Sequence, residues 1–88
     1  MSVEVTLAAG GEGLAAAIDG EQLRCVFARA FAPGAPVDIE ARLGHRTVPL
    51  RGKSLGSKKR ADGRFDVSLR LISLRREDRE ALRAALQG

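Results

Sequence analysis

At 88 residues, with three Phe and neither Tyr nor Trp, the chain has room for one domain and a small core, since a chain of this size buries roughly 60–65% of its unfolded surface. Lys and Arg total 15 against 11 Asp and Glu, a net charge of +4, which allows an anionic partner without requiring one. The single cysteine, Cys25, excludes an internal disulfide and fits a reducing compartment; no apolar run approaches the ~20 residues of a membrane span, and MSVEVTLAAGGEG lacks the basic region and continuous apolar stretch of a secretory signal, so the expected location is the cytoplasm.

Val3, Val5 and Leu7 alternate with Glu4 and Thr6, which predicts a strand over 3–7, broken by Gly10-Gly11-Glu12-Gly13. Leu14 to Ile18 contains a triple alanine that suits a helix by propensity. The bracketing Gly13 and Gly20 leave too few residues for a stable helix, so the segment reads as a strand over 14–18 with Leu14, Ala16 and Ile18 inward. Asp19-Gly20 is a hairpin-turn signal. Leu23, Cys25 and Phe27 alternate with Arg24, Val26 and Ala28 and predict a strand over 22–28. Pro33-Gly34-Ala35-Pro36 is a loop, with Pro36 biasing Ala35 toward an extended shape.

Val37, Ile39, Ala41 and Leu43 face one way and Asp38, Glu40 and Arg42 the other, predicting a strand over 36–43 that Gly44-His45 turns back. The next strand, over 46–55, has Val48 and Leu50 inward and Thr47, Arg51 and Lys53 outward. Pro49 lacks an N–H, which places it at an edge or a bulge, and Gly52 allows a sharp bend. Asp62-Gly63 suits a two-residue turn with positive φ at both central positions. Phe65, Val67, Leu69 and Leu71 then alternate with Arg64, Asp66, Ser68 and Arg70 over 64–72. After Ser73 the period lengthens to that of a helix over 74–86. Ser73 is the expected N-cap, Glu77 and Asp78 sit in the early turns where the dipole favours acids, and Leu74, Ala81, Leu82 and Ala85 form a narrow apolar stripe. Gly88 ends it. Six short antiparallel strands without a crossover helix predict a mainly β, single-domain chain: a small closed or partly open barrel with one C-terminal helix laid across it.

Few residues carry the pattern of a reactive site. Gly52-Lys53-Ser54 matches the end of a phosphate-binding P-loop, but Thr47 stands where the first glycine belongs and a strand replaces the required helix. His45, the one histidine, lies in a turn without a partner at metal-ligand spacing. Cys25 reads as a small buried hydrophobe on a strand face. No enzyme, cofactor or metal is expected. Arg51, Lys53, Lys58, Lys59, Arg60 and Arg64 fall within fourteen residues against Asp62 alone; they form either a solvated hairpin tip or a docking surface for a protein or phosphate. Arg75, Arg79 and Arg83 form a basic ridge on the helix, and Arg76 can pair with Glu80. A small core with edge strands also makes self-association plausible.

The stretch from Phe31 to Leu86 resembles the C-terminal two thirds of a bacterial PilZ domain. The matching features are the Ala32-Pro33-Gly34 loop opening into Val37, the Leu50-x-Gly52 strand, the turn Asp62-Gly63-Arg64-Phe65 into an alternating strand, and the segment LRREDREAL at the helix. The resemblance implies a six-stranded antiparallel barrel with a C-terminal helix and, for many members, binding of cyclic di-GMP and control of motility, exopolysaccharide or virulence. Family members that bind cyclic di-GMP carry an RxxxR stretch before the first strand, whose arginines grip phosphate, and a [D/N]xSxxG motif entering the third strand. Here no arginine precedes Arg24. The second motif would fall on residues 17–22, where Ala17 replaces the acid, Asp19 the serine and Gln22 the glycine; shifting by two puts Asp19 in the acid position but Glu21 and Arg24 in the others. Asp19 and Glu21 would also repel phosphate. The expected function is therefore a regulatory adaptor that acts through protein–protein interaction in motility or second-messenger signalling and does not bind cyclic di-GMP by the usual mode. Two alternatives stand beside it: a cyclic di-GMP receptor using arginines of the hairpin or helix, and a small basic nucleic-acid-binding barrel, against which the scarcity of stacking aromatics counts.

Overall fold

The computed structural model describes residues 2–87. Its elements are β1 (Val3–Leu7), β2 (Glu12–Asp19), β3 (Gln22–Phe27), β4 (Pro36–Leu43), β5 (Arg46–Lys59), β6 (Phe65–Ile72) and α1 (Arg76–Gln87). All neighbouring strands are antiparallel, and the ring closes in the order β1-β2-β3-β6-β5-β4. Closure follows from alternation: Val3, Val5, Leu7, Leu23, Cys25, Phe27, Val37, Ile39, Ala41, Val48, Leu50, Val67, Leu69 and Leu71 are all buried in one cluster, and a barrel is the way six such faces meet without leaving an unpaired edge.

The strand ring does not cover the core alone. β1 has five residues, whereas β2 and β4 on either side have eight. Its ladders run from Val3↔Ala15 to Thr6↔Glu12 and from Val5↔Ala41 to Leu7↔Ile39, so the far ends of β2 and β4 have no β1 partner. α1 packs against β2 and β4 and inserts Leu82 and Leu86 into the core. The helix thus fills the wedge that a short strand leaves open.

At the opposite end, residues 28–35 fold over the barrel mouth and hold Phe31 in the core. The Phe31 amide donates to Ser57 Oγ at 2.7 Å, and that hydroxyl donates to the Phe31 carbonyl at 2.7 Å. Ser54, itself buried, donates to the same carbonyl at 3.1 Å. The Phe31 ring meets Phe27 edge-on, with centroids 5.5 Å apart at 70°, and the Arg29 guanidinium lies over it at 4.6 Å. Gly52-Lys53-Ser54 is accordingly strand and loop clamp, with Ser54 spent on the backbone.

Several expectations are corrected. β2 carries a bulge between Ala15 and Ala17, which resets its inward phase. Ala15 is buried and Ala16 exposed; Leu14 faces outward opposite Val26, and Ile18 alone of the three expected residues packs on the core. Simple alternation cannot reveal an inserted residue. The β2–β3 turn falls on Gly20-Glu21, because Asp19 stays paired with Gln22. The β5–β6 turn is wider than two residues: the Arg60 amide bonds the Arg64 carbonyl at 2.7 Å and the Gly63 amide the Arg60 carbonyl at 3.2 Å. Of the two, only Gly63 takes positive φ (87°); Asp62 does not, and its carboxylate accepts from the Arg64 amide at 2.9 Å. β5 runs on to Lys59 rather than stopping near Leu55, and its bulge lies between Ser54 and Gly56, not at Pro49. Pro49 pairs with Glu40 of β4, in the part of β5 lying before the β6 ladder begins at Arg51↔Ile72, so its missing N–H costs no rung there. Ser73 is not the N-cap. It takes φ 56°, bending the chain out of β6 so that Leu74 can pack on the core, and the helix starts two residues later than expected. The Arg75 carbonyl accepts the first helical bond, from the Arg79 amide at 2.9 Å. The buried stripe includes Leu86 as well as Leu82, and Gly88 lies outside the described residues.

Gly13 of β2 sits against Phe27 of β3 with no room for a side chain. A Cβ there would overlap the Phe27 ring and come within 2.6 Å of the Val26 carbonyl oxygen, a backbone atom that cannot move aside freely. Gly13→Ala is therefore expected to destabilise the fold by about 1–3 kcal/mol through overpacking. Thermal unfolding followed by circular dichroism checks it, each kcal/mol corresponding to roughly 4–8 °C.

Candidate interaction face

The outward phase of β3, β6 and β5 brings together cations that are far apart in sequence. Gln22, Arg70 and Lys53 are successive cross-strand neighbours, as are Arg24, Ser68 and Gly56, and Val26, Asp66 and Lys58. Four cations, Arg24, Lys53, Lys58 and Arg70, thus stand on one face, and none of them has an ion-pair partner among the described residues. Between Arg24 and Lys58 the small residues Gly56 and Ser68 lower the floor into a groove of about 570 Å³, with Leu55 and Ser57 on its wall. Asp66 also lines it, but its carboxylate is held by Arg60 at 3.0 Å, so the groove is left basic. On the opposite side of the barrel a concavity of about 430 Å³ is lined by Glu4, Glu12 and Glu40 with Arg42 and Arg64. Arg42 is paired with Glu4 there at 3.7 Å, and the surplus carboxylate charge repels an anion.

The residues expected from sequence divide between this face and other places. Lys53 and Lys58 belong to it. Arg51 lies one rung away and is tied to Asp38 at 3.2 Å. Lys59 takes the opposite phase, paired with Phe65 at the barrel rim. Arg60 sits in the turn between Asp66 at 3.0 Å and Asp62 at 3.4 Å; the hydrogen bond to Asp66, then the charge of Asp62, raise its pKa further. The Arg64 amide, with the Arg60 charge beside it, holds the Asp62 carboxyl below the usual carboxylate range. Arg60 is therefore neutralised within the hairpin tip, in exposed pairs that solvent screens.

The helix ridge is not brought to this face, because α1 lies on β2 and β4. Arg75 lies 3.9 Å from Glu77, Arg79 is partly covered and 3.7 Å from Glu21, and Arg83 is exposed. Arg76 and Glu80 form the expected i,i+4 pair at 3.6 Å. The segment that would carry the second family motif is occupied by structural contacts. Ala17 pairs with Arg24 and Asp19 with Gln22; the Glu21 carbonyl accepts from the Leu71 amide at 2.7 Å. His45 is exposed in the β4–β5 turn. Cys25 is fully buried, and burial pushes its thiol up to about 12. Among the described residues no three His, Cys, Asp or Glu side chains are grouped to hold a metal ion, and no helix is long and apolar enough to cross a membrane.

Sequence reasoning missed Arg24 and Arg70 as members of the face. Both were visible as outward-phase residues, but alternation does not say which strands are neighbours, and the β3–β6 pairing joins residues that are 38 to 48 positions apart in the chain. Comparison of the chain with protein-family models, with curated proteins and with solved structures finds no match.

Proposed function

We propose that the chain is a PilZ-like regulatory adaptor domain of the bacterial cytoplasm, acting by protein–protein contact in motility or second-messenger signalling and not holding cyclic di-GMP by the usual mode. This reading assigns it a binding role and no catalysis. The observation that carries it is the state of the β2–β3 turn, where the nucleotide motif would lie. Ala17, Asp19 and Gln22 lack the motif's chemistry, Glu21 has its carbonyl taken by Leu71 and its carboxylate beside Arg79, and two acids flank the place where phosphate would sit. Four unpaired cations, Arg24, Lys53, Lys58 and Arg70, stand together instead on the β3–β6–β5 face, a surface suited to docking.

Titration calorimetry with cyclic di-GMP tests the nucleotide half of the reading. No saturable heat is expected up to about 100 μM, equivalent to an affinity weaker than about −5.5 kcal/mol. Saturable heat that Arg24→Ala and Arg70→Ala both abolish would establish an atypical receptor instead.

A further inference from the structure

The exposed large apolar side chains among the described residues are Leu55 (49% exposed) and Ile72 (42%), and both lie on the face that carries the unpaired cations. Ile72 pairs with Arg51, and Leu55 lies four residues further along β5, in the bulge between Ser54 and Gly56. Their separation along the strand is therefore about 13 Å, which an extended segment covers in about four residues. The Lys53–Arg70 pair stands between them, and Arg24 and Lys58 stand beyond Leu55 around the groove.

Resting on the docking reading above, we infer that this face takes an extended acidic segment of a partner protein, with two apolar side chains about four residues apart, acids between them and acids after the second. The charge is complementary: four unpaired cations against Asp66, already held by Arg60, and Asp38, already held by Arg51. The apolar contacts favour a polypeptide over a nucleic acid. Phe27 and Phe31 are buried, Phe65 takes the inward phase of β6, and the chain has no Tyr or Trp, so the face offers no aromatic platform for bases. Leucine or isoleucine from a partner would cover Leu55 and Ile72, while carboxylates set register against Lys53 and Arg70.

A fluorescein-labelled dodecapeptide with two leucines four residues apart, glutamates between and after them, and serine elsewhere, is the probe, titrated with the full chain at low salt by fluorescence anisotropy. Saturable binding is expected, weakened at least about tenfold by Lys53→Glu with Arg70→Glu and several-fold by Leu55→Ser with Ile72→Ser. Circular dichroism and thermal unfolding confirm that the variants fold. The inference is overturned if the Glu→Gln peptide or the Leu→Ser peptide binds as tightly as the parent peptide, or if an oligothymidylate of equal length binds more tightly than either. A partner protein that the immobilised parent domain and both double variants capture equally well would refute this face while leaving the adaptor reading standing. Saturable cyclic di-GMP binding would remove the adaptor reading itself.

Discussion

Leu82→Ala is expected to lower the midpoint of thermal unfolding by about 10–30 °C, the largest effect of any single truncation in α1. Leu82 is fully buried and belongs to the barrel core rather than to a separate helix interface. A leucine truncated in such a place costs about 2–5 kcal/mol, the higher end applying where the surroundings cannot collapse into the cavity. Here they cannot collapse readily, because the flanking β2 and β4 are held apart by β1 between them. The whole domain, at roughly 0.05–0.15 kcal/mol per residue, has only about 4–13 kcal/mol to lose. Leu86→Ala should cost less, since Leu86 lies at the helix end and keeps some exposure, and exposed Arg83→Ala should be neutral. Amide exchange locates the damage: exchange in α1 and in residues 16–19 of β2, which have no β1 partner, should accelerate together. A midpoint for Leu82→Ala within about 3 °C of the parent, less than 1 kcal/mol, would mean that α1 is an appendage and that the strands cover the core unaided.

The barrel was legible because four of its strands keep strict alternation. β1, β4 and β6, and β5 as far as Ser54, bury every second side chain where the period-two reading puts them. What escaped were features that break a period or join distant segments. The bulge at Ala16 hid in a run of three alanines, which carry no face preference, so the inward phase of β2 was reversed at its start. Ser73 has the chemistry of an N-cap, but the bend needed to carry the chain from β6 to the helix decides its conformation. The basic hairpin was visible as composition. Its division was not, since neutralisation of Arg51 and Arg60 depends on Asp38 and Asp66 being their spatial neighbours, and the addition of Arg24 and Arg70 depends on strand order. A site assembled across β3, β6 and β5 is written in the pairing of strands rather than in any one segment.

Alkaline pH should destabilise the fold through Cys25. Burial pushes its thiol up to about 12, against 9.0 for the free group. The neutral, protonated thiol is the form the core accepts. Below pH 9 both folded and unfolded chains hold the proton, and the stabilisation is fully present. Above it the unfolded chain releases a proton that the folded chain keeps, so stability falls with rising pH until about pH 12, where the folded form ionises too. At 1.36 kcal/mol per pH unit the loss approaches about 4 kcal/mol over the full interval, and about 2 kcal/mol between pH 8.5 and 10.5. The experiment is a series of urea unfolding curves across that narrower range for the parent and for Cys25→Ala. The chain has no tyrosine and only three lysines, so little else titrates there, and what does is shared by both proteins. Cys25→Ala should start less stable by about 1 kcal/mol for the lost sulfur and then lose less with pH, so that the two stabilities cross near pH 10. A thiol reagent should label the parent only as fast as it unfolds. Parallel pH profiles, or rapid labelling of the native protein, would show that Cys25 is reached by solvent and that the β3 face of the core is looser than its packing implies.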